Sequence, residues 1–249
     1  MGVCVRQHGD FDAYRPRLAR YHRGVDDTTV TAAVESLHAL YEEVGRREAR
    51  LAALGAKKVT RPLAEKHPDL RPVLALFSEC HELFGHAEHG KQAADLAVQT
   101  MRRARKTAVT LGFDTPSSRT DAIPPKIVEL VKINACFAVK SWRSNDGFLG
   151  DGSFQAGIRA TELRMGKDVG TSILTGATEE RFEIVKWFYI EADDDTGYDA
   201  AADIIARAVS AVHPAVETAS GARDDVVESE ESRDLLVDLD AVLGEERSR

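Results

Sequence analysis

The chain has 249 residues, of which 43% are hydrophobic and 30% charged, and its formal net charge is −8 at pH 7. This is the composition of an ordinary globular protein: no apolar stretch reaches the ~18 residues of a membrane span, and the N-terminus lacks the apolar core of a signal peptide. The acidic balance excludes a surface that binds nucleic acid all over, and three scattered cysteines argue against a disulfide framework, so we expect a cytoplasmic protein with at most a local basic stripe.

The predicted elements alternate between helices and apolar strands up to residue 140. In chain order they are a strand at residues 2–6, helices at 28–53 and 60–66, a buried strand at 73–77, a helix at 92–106, a strand at 108–112, a short helix at 125–131 and a third buried strand at 134–139. Asp26 or Asp27 is placed to cap the long first helix and Gly55 to end it. Alternating helices and buried strands predict a parallel, doubly wound α/β sheet within a domain at 1–212.

Beyond residue 140 the pattern changes. Residues 144–159 predict a loop with one helical turn, residues 170–175 and 182–190 a β-hairpin, and residues 196–212 a closing helix. Residues 213–231 are rich in Ser, Gly, Asp and Glu, which predicts a disordered acidic linker. Residues 232–249 predict a tail with an amphipathic helix, because apolar residues recur there at helical spacing: Leu235, Leu236, Leu239, Val242 and Leu243. This helix has no core of its own, so we expect it to need a partner.

The segment around the strand at 73–77 carries the first indication of chemistry. Its run VLALF is short, continuous and apolar, which suits a strand buried on both faces of a parallel sheet. Glu79 follows almost at once, and the carboxyl ends of such strands are where open α/β sheets bind ligands. This is the layout of a Walker B strand in a P-loop ATPase, which normally ends in two acids, one for Mg²⁺ and one to activate water. Here the first position of that pair is Ser78.

Five ordered segments extend this observation to a family. They read GDFDAYRP with VDDTTVTAAVESLHALYEEVGRREARL, then VLALFSECHELFGHAEHGKQA, then the long segment from MRRARKTAVTLGFDTPSSRTDAIPPK to GIRATEL, and finally GTSILTG. Over roughly residues 5–210 the chain resembles the motor domain of actinobacterial FtsK/SpoIIIE-type DNA translocases. The resemblance implies a RecA-like, P-loop NTPase-type parallel sheet with flanking helices. It also implies a hexameric ring around double-stranded DNA that uses ATP and Mg²⁺ in chromosome segregation, cell division or conjugal transfer.

The resemblance implies roles for individual residues. Glu79 takes the position of the catalytic glutamate that orients and polarises the attacking water, and Ser78 stands where the family has an aspartate. Thr115 falls in the sensor region, where Pro116 replaces the following glutamine. Walker B and the sensor are therefore both degenerate, and we expect each change to slow hydrolysis.

The same resemblance implies functions for two sets of basic residues. Arg143 and Arg159 are candidates for an arginine that acts in trans on the nucleotide of a neighbouring subunit. The candidate contacts to double-stranded DNA are Arg102, Arg103, Arg105, Lys126 and Lys132.

The phosphate loop of the family, G-x-x-x-x-G-K-[ST], does not occur in the sequence. The chain has two Gly-Lys pairs: Gly90-Lys91 has the leading glycine at Gly85 but is followed by Gln92, and Gly166-Lys167 lacks the leading glycine and is followed by Asp168. Backbone N–H groups and the lysine of that loop supply most nucleotide affinity. We therefore expect a motor domain truncated at its N-terminus, which by itself neither binds ATP usefully nor hydrolyses it.

Two other functions remain open at this point. In the first, the chain is a non-catalytic module that docks on an intact translocase subunit and modulates it through the acidic linker and the C-terminal helix. In the second, it is a metal-dependent hydrolase that uses His81, Glu82 and His86, with His89 nearby. A zinc protease needs H-E-x-x-H, and five residues on a helix turn His81 and His86 ~140° apart, so we expect no metal there.

Overall fold

The computed structural model describes residues 2–5, 11–24, 26–116, 122–193 and 195–212. The predicted linker and C-terminal helix lie outside these residues. The α-helices are α1 (Asp27–Ala53), α2 (Arg61–Lys66), α3 (Cys80–Gly85), α4 (Gly90–Ala104), α5 (Pro125–Val128), α6 (Trp142–Leu149) and α7 (Ala200–Val212). The β-strands are β1 (Gly2–Val5), β2 (Arg20–Arg23), β3 (Val73–Phe77), β4 (Val109–Phe113), β5 (Asn134–Phe137), β6 (Thr171–Thr175), β7 (Glu183–Lys186), β8 (Ala192–Asp193) and β9 (Tyr198–Asp199). Short 3₁₀ helices span Asp12–Arg17, Pro68–Leu70 and Ala160–Glu162.

The first four strands form a parallel sheet in the order β2-β1-β3-β4. The register between β3 and β4 runs from the pair Val73–Val109 to the pair Phe77–Phe113, so these two strands end side by side. Helices α1 and α4 pack together against one face of the sheet. The predicted fold class, a parallel sheet with flanking helices, is confirmed.

Helix α1 shows how local sequence determines this layer. Asp26 Oδ1 accepts a hydrogen bond from Thr29 N at 2.7 Å, which is the predicted N-cap. Gly55 follows the helix with φ of +65°, a conformation that glycine adopts without a steric penalty. Leu37 lies at the middle of the helix, has no exposed surface and belongs to the same core as Phe77.

The prediction of a third buried strand in the parallel sheet is wrong. Strand β5 pairs antiparallel with β6, from Asn134–Thr175 to Phe137–Ser172, and belongs to a separate sheet in the order β5-β6-β7. Phe137 is 50% exposed. The apolar run of β5 fits a buried parallel strand equally well, because its partner lies more than 30 residues later and periodicity carries no information about pairing.

Strand β3 is also less buried than its sequence predicts. Ala75 and Phe77 face the core, but Leu74 on the opposite face is 49% exposed. Leu76 on that face packs against Leu18 in a cluster that also contains Phe11, Tyr14 and Tyr21. The face is therefore covered at Leu76 and open at Leu74, which corrects the prediction of burial on both faces.

Residues 142–160 are ordered rather than forming the predicted loop. Helix α6 has two turns and begins at the cap Ser141, whose Oγ accepts from Ser144 N at 3.0 Å. The fully buried Asn145 donates from Nδ2 to Ile158 O at 2.9 Å and accepts from Ala160 N at 2.7 Å. One amide side chain thereby ties α6 to the end of the following segment.

The remaining elements are of the predicted type, but their first or last residues differ from the prediction. Strands β6 and β7 form the predicted hairpin, which ends at Lys186 instead of residue 190. Helix α7 begins at Ala200, four residues later than predicted, because the short β8–β9 pair precedes it. Among the described helices, none is both long enough and apolar enough to cross a lipid bilayer.

Candidate site at the carboxyl ends of strands β3 and β4

The candidate site lies where β3 and β4 end. The ladder between the two strands continues into the loops: Asp114 N donates to Phe77 O at 3.1 Å, and Cys80 N donates to Asp114 O at 3.0 Å. Ser78 and Glu79 are thereby held beside Asp114. The parallel topology alone brings the two chain segments to one edge of the sheet.

Asp114 is the residue that sequence reasoning missed. Its Oδ1 accepts hydrogen bonds from Ser78 Oγ at 3.0 Å and from Glu79 N at 3.2 Å. Ser78 stands at the position where an aspartate was expected. The carboxylate of Asp114, directly after the neighbouring strand β4, nevertheless lies within hydrogen-bond distance of this serine. The signal in the sequence was an acid directly after the apolar run VTLGF, at the same position relative to β4 as Ser78 has relative to β3.

Glu79 adopts an unusual backbone conformation. Its φ and ψ of 52° and 39° lie in the left-handed region, and α3 begins at the next residue. Non-glycine residues pay roughly 1–2 kcal/mol for this conformation, and such outliers cluster at functional sites. The Glu79 side chain is 36% exposed, so its carboxylate is accessible from solvent at the sheet edge.

His81 lies between Glu79 and Thr115, the residue predicted to belong to a sensor region. Its Nδ1 lies 3.1 Å from Thr115 Oγ1 and 3.4 Å from Glu79 Oε2, while its Nε2 lies 3.2 Å from Glu82 Oε1. The structure therefore brings Ser78, Glu79 and Thr115 together, with His81 between the last two. The neighbouring thiol takes no part, because burial and the charge of Asp114 raise the pKa of Cys80 to about 12.

Replacement of Glu79 by asparagine should stabilise the fold. Asparagine tolerates the left-handed region better than glutamate, so we expect the free energy of unfolding to rise by about 0.5–1 kcal/mol. Urea unfolding of the variant measures this, with Glu82→Asn in the right-handed helix α3 as the matched control. A loss of stability larger than that of the control would show that the conformation of Glu79 is not a strained one.

The histidines of the HExxxH string have separate partners. His86 follows α3, and its Nε2 lies 3.2 Å from Asp27 Oδ1 at the start of α1. Its ring stacks on that of His89 with centroids 5.1 Å apart, and its Nδ1 accepts from His89 N at 3.2 Å. Within the described residues no three His, Cys, Asp or Glu side chains converge in a way that could hold a metal ion.

The two candidate trans-acting arginines lie in the segment around α6. The Arg143 guanidinium stacks over the Trp142 ring at 4.9 Å. Arg159 stacks over Phe154, donates from Nε to its carbonyl at 3.2 Å and pairs with Glu162. Neither arginine contacts the Ser78–Asp114 edge within the part of the chain that the structure describes.

The candidate DNA contacts divide into exposed and engaged residues. Arg103 forms an ion pair with Glu48 and stacks over the Tyr41 ring at 5.0 Å, which fixes it between α1 and α4. The other candidates, Arg102, Arg105, Lys126 and Lys132, are exposed. Arg103 is thus accounted for by packing between these helices.

The fold of this chain, but not its sequence, matches known proteins. No family model matches the sequence, and no characterised protein matches it significantly by sequence. The conjugation coupling protein TcpA of pCW3, in its monomer form with ATPγS, has a TM-score of 0.57 and 18% identity over 78% of this chain and 52% of TcpA. The cytoplasmic domain of the Thermomonospora curvata type VII secretion ATPase EccC has a TM-score of 0.58 and 15% identity over 82% of this chain and 24% of EccC. ATPases 2 and 3 of Geobacillus thermodenitrificans EssC have a TM-score of 0.55 and 12% identity, over 85% of this chain and 37% of the EssC chain.

These likenesses concern the fold, since all three identities lie below 25%. The chain spans about half the length of TcpA and smaller shares of the other two. Two of these structures are named as ATPases and the third carries an ATP analogue. Together with the parallel sheet and its polar carboxyl edge, they show that this chain has the fold of FtsK/SpoIIIE-like ATPase motor domains.

Proposed function

We propose that the chain supplies the Walker B and sensor edge of an FtsK/SpoIIIE-type ATPase that moves double-stranded DNA, and that it uses ATP only when a P-loop is joined to it. The observation that carries this proposal is the convergence of Ser78, Glu79, Asp114 and Thr115 at the carboxyl end of a parallel sheet. The proposed role of Glu79 is to polarise the water that attacks the γ-phosphate.

The open edge of the parallel sheet supports the need for an additional unit. Within the described residues β4 pairs with β3 alone, and its Thr110 is exposed beside the half-exposed Leu74. Parallel sheets are ordinarily covered by helices on both faces. A strand that pairs with β4 and continues into a helix would satisfy the strand edge and cover Leu74. The proposal holds whether this unit precedes the sequence in the same chain or belongs to another polypeptide.

The oxygen atoms at this edge suit a magnesium ion that accompanies the nucleotide. Mg²⁺ prefers carboxylate and hydroxyl oxygens together with phosphates. Ser78 offers a neutral hydroxyl, and Asp114 supplies the negative charge that the serine lacks. In this proposal Asp114 and Ser78 hold the ion jointly, while Glu79 and His81 act on the attacking water.

The surface for DNA is proposed at the amino ends of β3 and β4. The backbone hydrogen bond from Val59 N to Lys106 O, at 2.8 Å, joins the loops after α1 and α4. The exposed cations there are Lys57, Lys58, Arg102, Arg105 and Lys106. None of these five takes part in an ion pair with another described residue. Nearby acids are already neutralised, since Glu43, Glu48, Glu65 and Asp69 each pair with an arginine.

Charge reversal in this cluster should weaken DNA binding. For the double variant Arg105→Glu/Lys106→Glu we expect at least ~10-fold weaker binding to a 30-base-pair duplex, and a slope of log K against log [salt] that falls by ~2. Fluorescence anisotropy across a salt series measures both quantities. The matched control, Arg181→Glu/Arg207→Glu, makes the same charge change at two exposed positions elsewhere. An equal loss of DNA affinity in the control would show that this cluster is not the DNA-binding surface.

Translocation itself is tested with the completed motor. We expect a chimera with a G-x-x-x-x-G-K-[ST] strand–loop–helix unit before residue 1 to displace a triplex-forming strand from duplex DNA in an ATP-dependent manner. If the chimera hydrolyses ATP without displacing the strand, the proposed ATPase activity stands and the proposed DNA translocation is wrong.

A further inference from the structure

The antiparallel sheet β5-β6-β7 is only partly covered on each face: Ile184 is 65% exposed on the face that buries Ile173, and Ser172 is fully buried on the other face. On one face Cys136 and Ile173 are buried with residues of the α6 segment. Because side chains alternate along a strand, the opposite face carries the row Phe137, Ser172 and Val185. We call this opposite face, together with Met165, Val169 and Trp187 beside it, the outer face of the sheet.

Large apolar side chains on the outer face are left in solvent. Phe137, Met165, Val169 and Trp187 are between 44% and 67% exposed. The first three line a cavity of about 160 Å³, in which Gly170 also takes part. Trp187 adjoins this cavity, because its backbone N donates to Gly170 O at 2.8 Å and its Nε1 donates to Ser172 Oγ at 2.8 Å. An exposed apolar patch of this kind marks a docking surface.

The rim of the outer face is basic. Lys140 and Lys167 are exposed, and neither forms an ion pair with another described residue, whereas Lys186 donates from Nζ to Val169 O. The one acid lining the cavity, Asp168, is occupied by Arg164 at 2.8 Å, and this hydrogen bond lowers the pKa of Asp168 to about 2. The complementary ligand is therefore a segment with an apolar stripe flanked by acids.

We infer that residues 232–243 of this same chain cover the outer face. The segment, SRDLLVDLDAVL, lies outside the described residues, and its sequence has the required chemistry. Its leucines and Val242 recur at helical spacing, as expected for an apolar stripe of suitable length. Three aspartates flank that stripe: Asp234, Asp238 and Asp240.

The tether between the domain and this segment is long enough. Helix α7 ends at Val212, and 19 residues precede Ser232. Extended, they span up to ~60 Å, whereas a folded domain of about this size has a radius of gyration of roughly 17 Å. A tether of this length gives an effective concentration on the order of 1 mM, so an intrinsic Kd of tens of micromolar keeps the face covered.

The experiment uses the full chain with Trp187 as its reporter. The protein contains two tryptophans, so Trp142→Phe leaves Trp187 alone. In this background, Leu236→Asp/Leu239→Asp should raise the acrylamide quenching constant of Trp187 about twofold or more. The matched control is Ala241→Asp, which adds a charge on the opposite side of the predicted helix and should leave quenching unchanged. A peptide of residues 228–249 added to the double variant should restore protection with a Kd of tens of micromolar.

A second substitution locates the contact. Val169→Asp on the outer face, combined with the double variant, should abolish the effect of the peptide. Equal quenching in all tail variants would overturn the inference, as would a peptide effect that survives Val169→Asp. Protection that depends on protein concentration would also overturn it, because the face would then be covered by a second copy.

Discussion

Replacement of Glu79 by glutamine should lower the ATP turnover of the P-loop-completed motor by at least ~100-fold, the usual contribution of a residue that positions or deprotonates the attacking nucleophile. Glutamine keeps the size of the side chain and the backbone hydrogen bond to Asp114, but it removes the charge that polarises the water. Nucleotide affinity should change by less than about threefold, because the interaction is made chiefly in the transition state.

Single-turnover hydrolysis and nucleotide titration of the chimera separate these two effects. The control is Glu82→Gln, which removes a carboxylate one helical turn away that also lies near His81. We expect the control to keep most of the activity. If Glu79→Gln hydrolyses ATP at the rate of the parent, Glu79 does not act on the water and the role assigned to this edge is wrong.

Replacement of Asn145 by alanine should destabilise the domain more than any substitution at the sheet edge. Asn145 is completely buried and makes one hydrogen bond to Ile158 O and one to Ala160 N. Its removal leaves a buried carbonyl and a buried N–H unpaired, and each costs about 1–3 kcal/mol. We therefore expect the free energy of unfolding to fall by roughly 3 kcal/mol.

Chemical denaturation followed by circular dichroism measures this loss. Asp151→Ala, an exposed position in the same segment, should change stability by less than about 0.5 kcal/mol. A loss below ~1 kcal/mol for Asn145→Ala would mean that the segment 142–160 does not depend on this amide.

The sequence predicted those elements whose stability is decided locally. Helix α1 was recognisable from its apolar spacing, its cap at Asp26 and the glycine after its end. The run of β3 was equally clear. Strand β2, RYHR, has no apolar pattern and is held by pairing with β1, so nothing local indicated it. The pairing of β5 with β6 likewise depends on contacts between distant parts of the chain.

The candidate site was predicted in part. Ser78, Glu79 and Thr115 were identified through the family resemblance, and the structure places them at one edge. Asp114 was missed because its contact with Ser78 becomes visible only when the register of β3 against β4 is known. The exposure of Leu74 was missed for a related reason: an apolar residue in a strand indicates burial, but it does not say which unit provides the cover.

The most direct test of the account is a calorimetric titration of ATPγS with Mg²⁺ into the chain alone and into the P-loop-completed chimera. We expect no binding to the chain alone up to ~1 mM, which corresponds to a binding free energy weaker than about 4 kcal/mol. For the chimera we expect a micromolar Kd, which corresponds to a binding free energy of ~8 kcal/mol. A chimera in which the P-loop lysine is replaced by alanine is the control and should lose this gain. Micromolar binding to the chain alone, or a folded chimera that does not bind, would contradict the account.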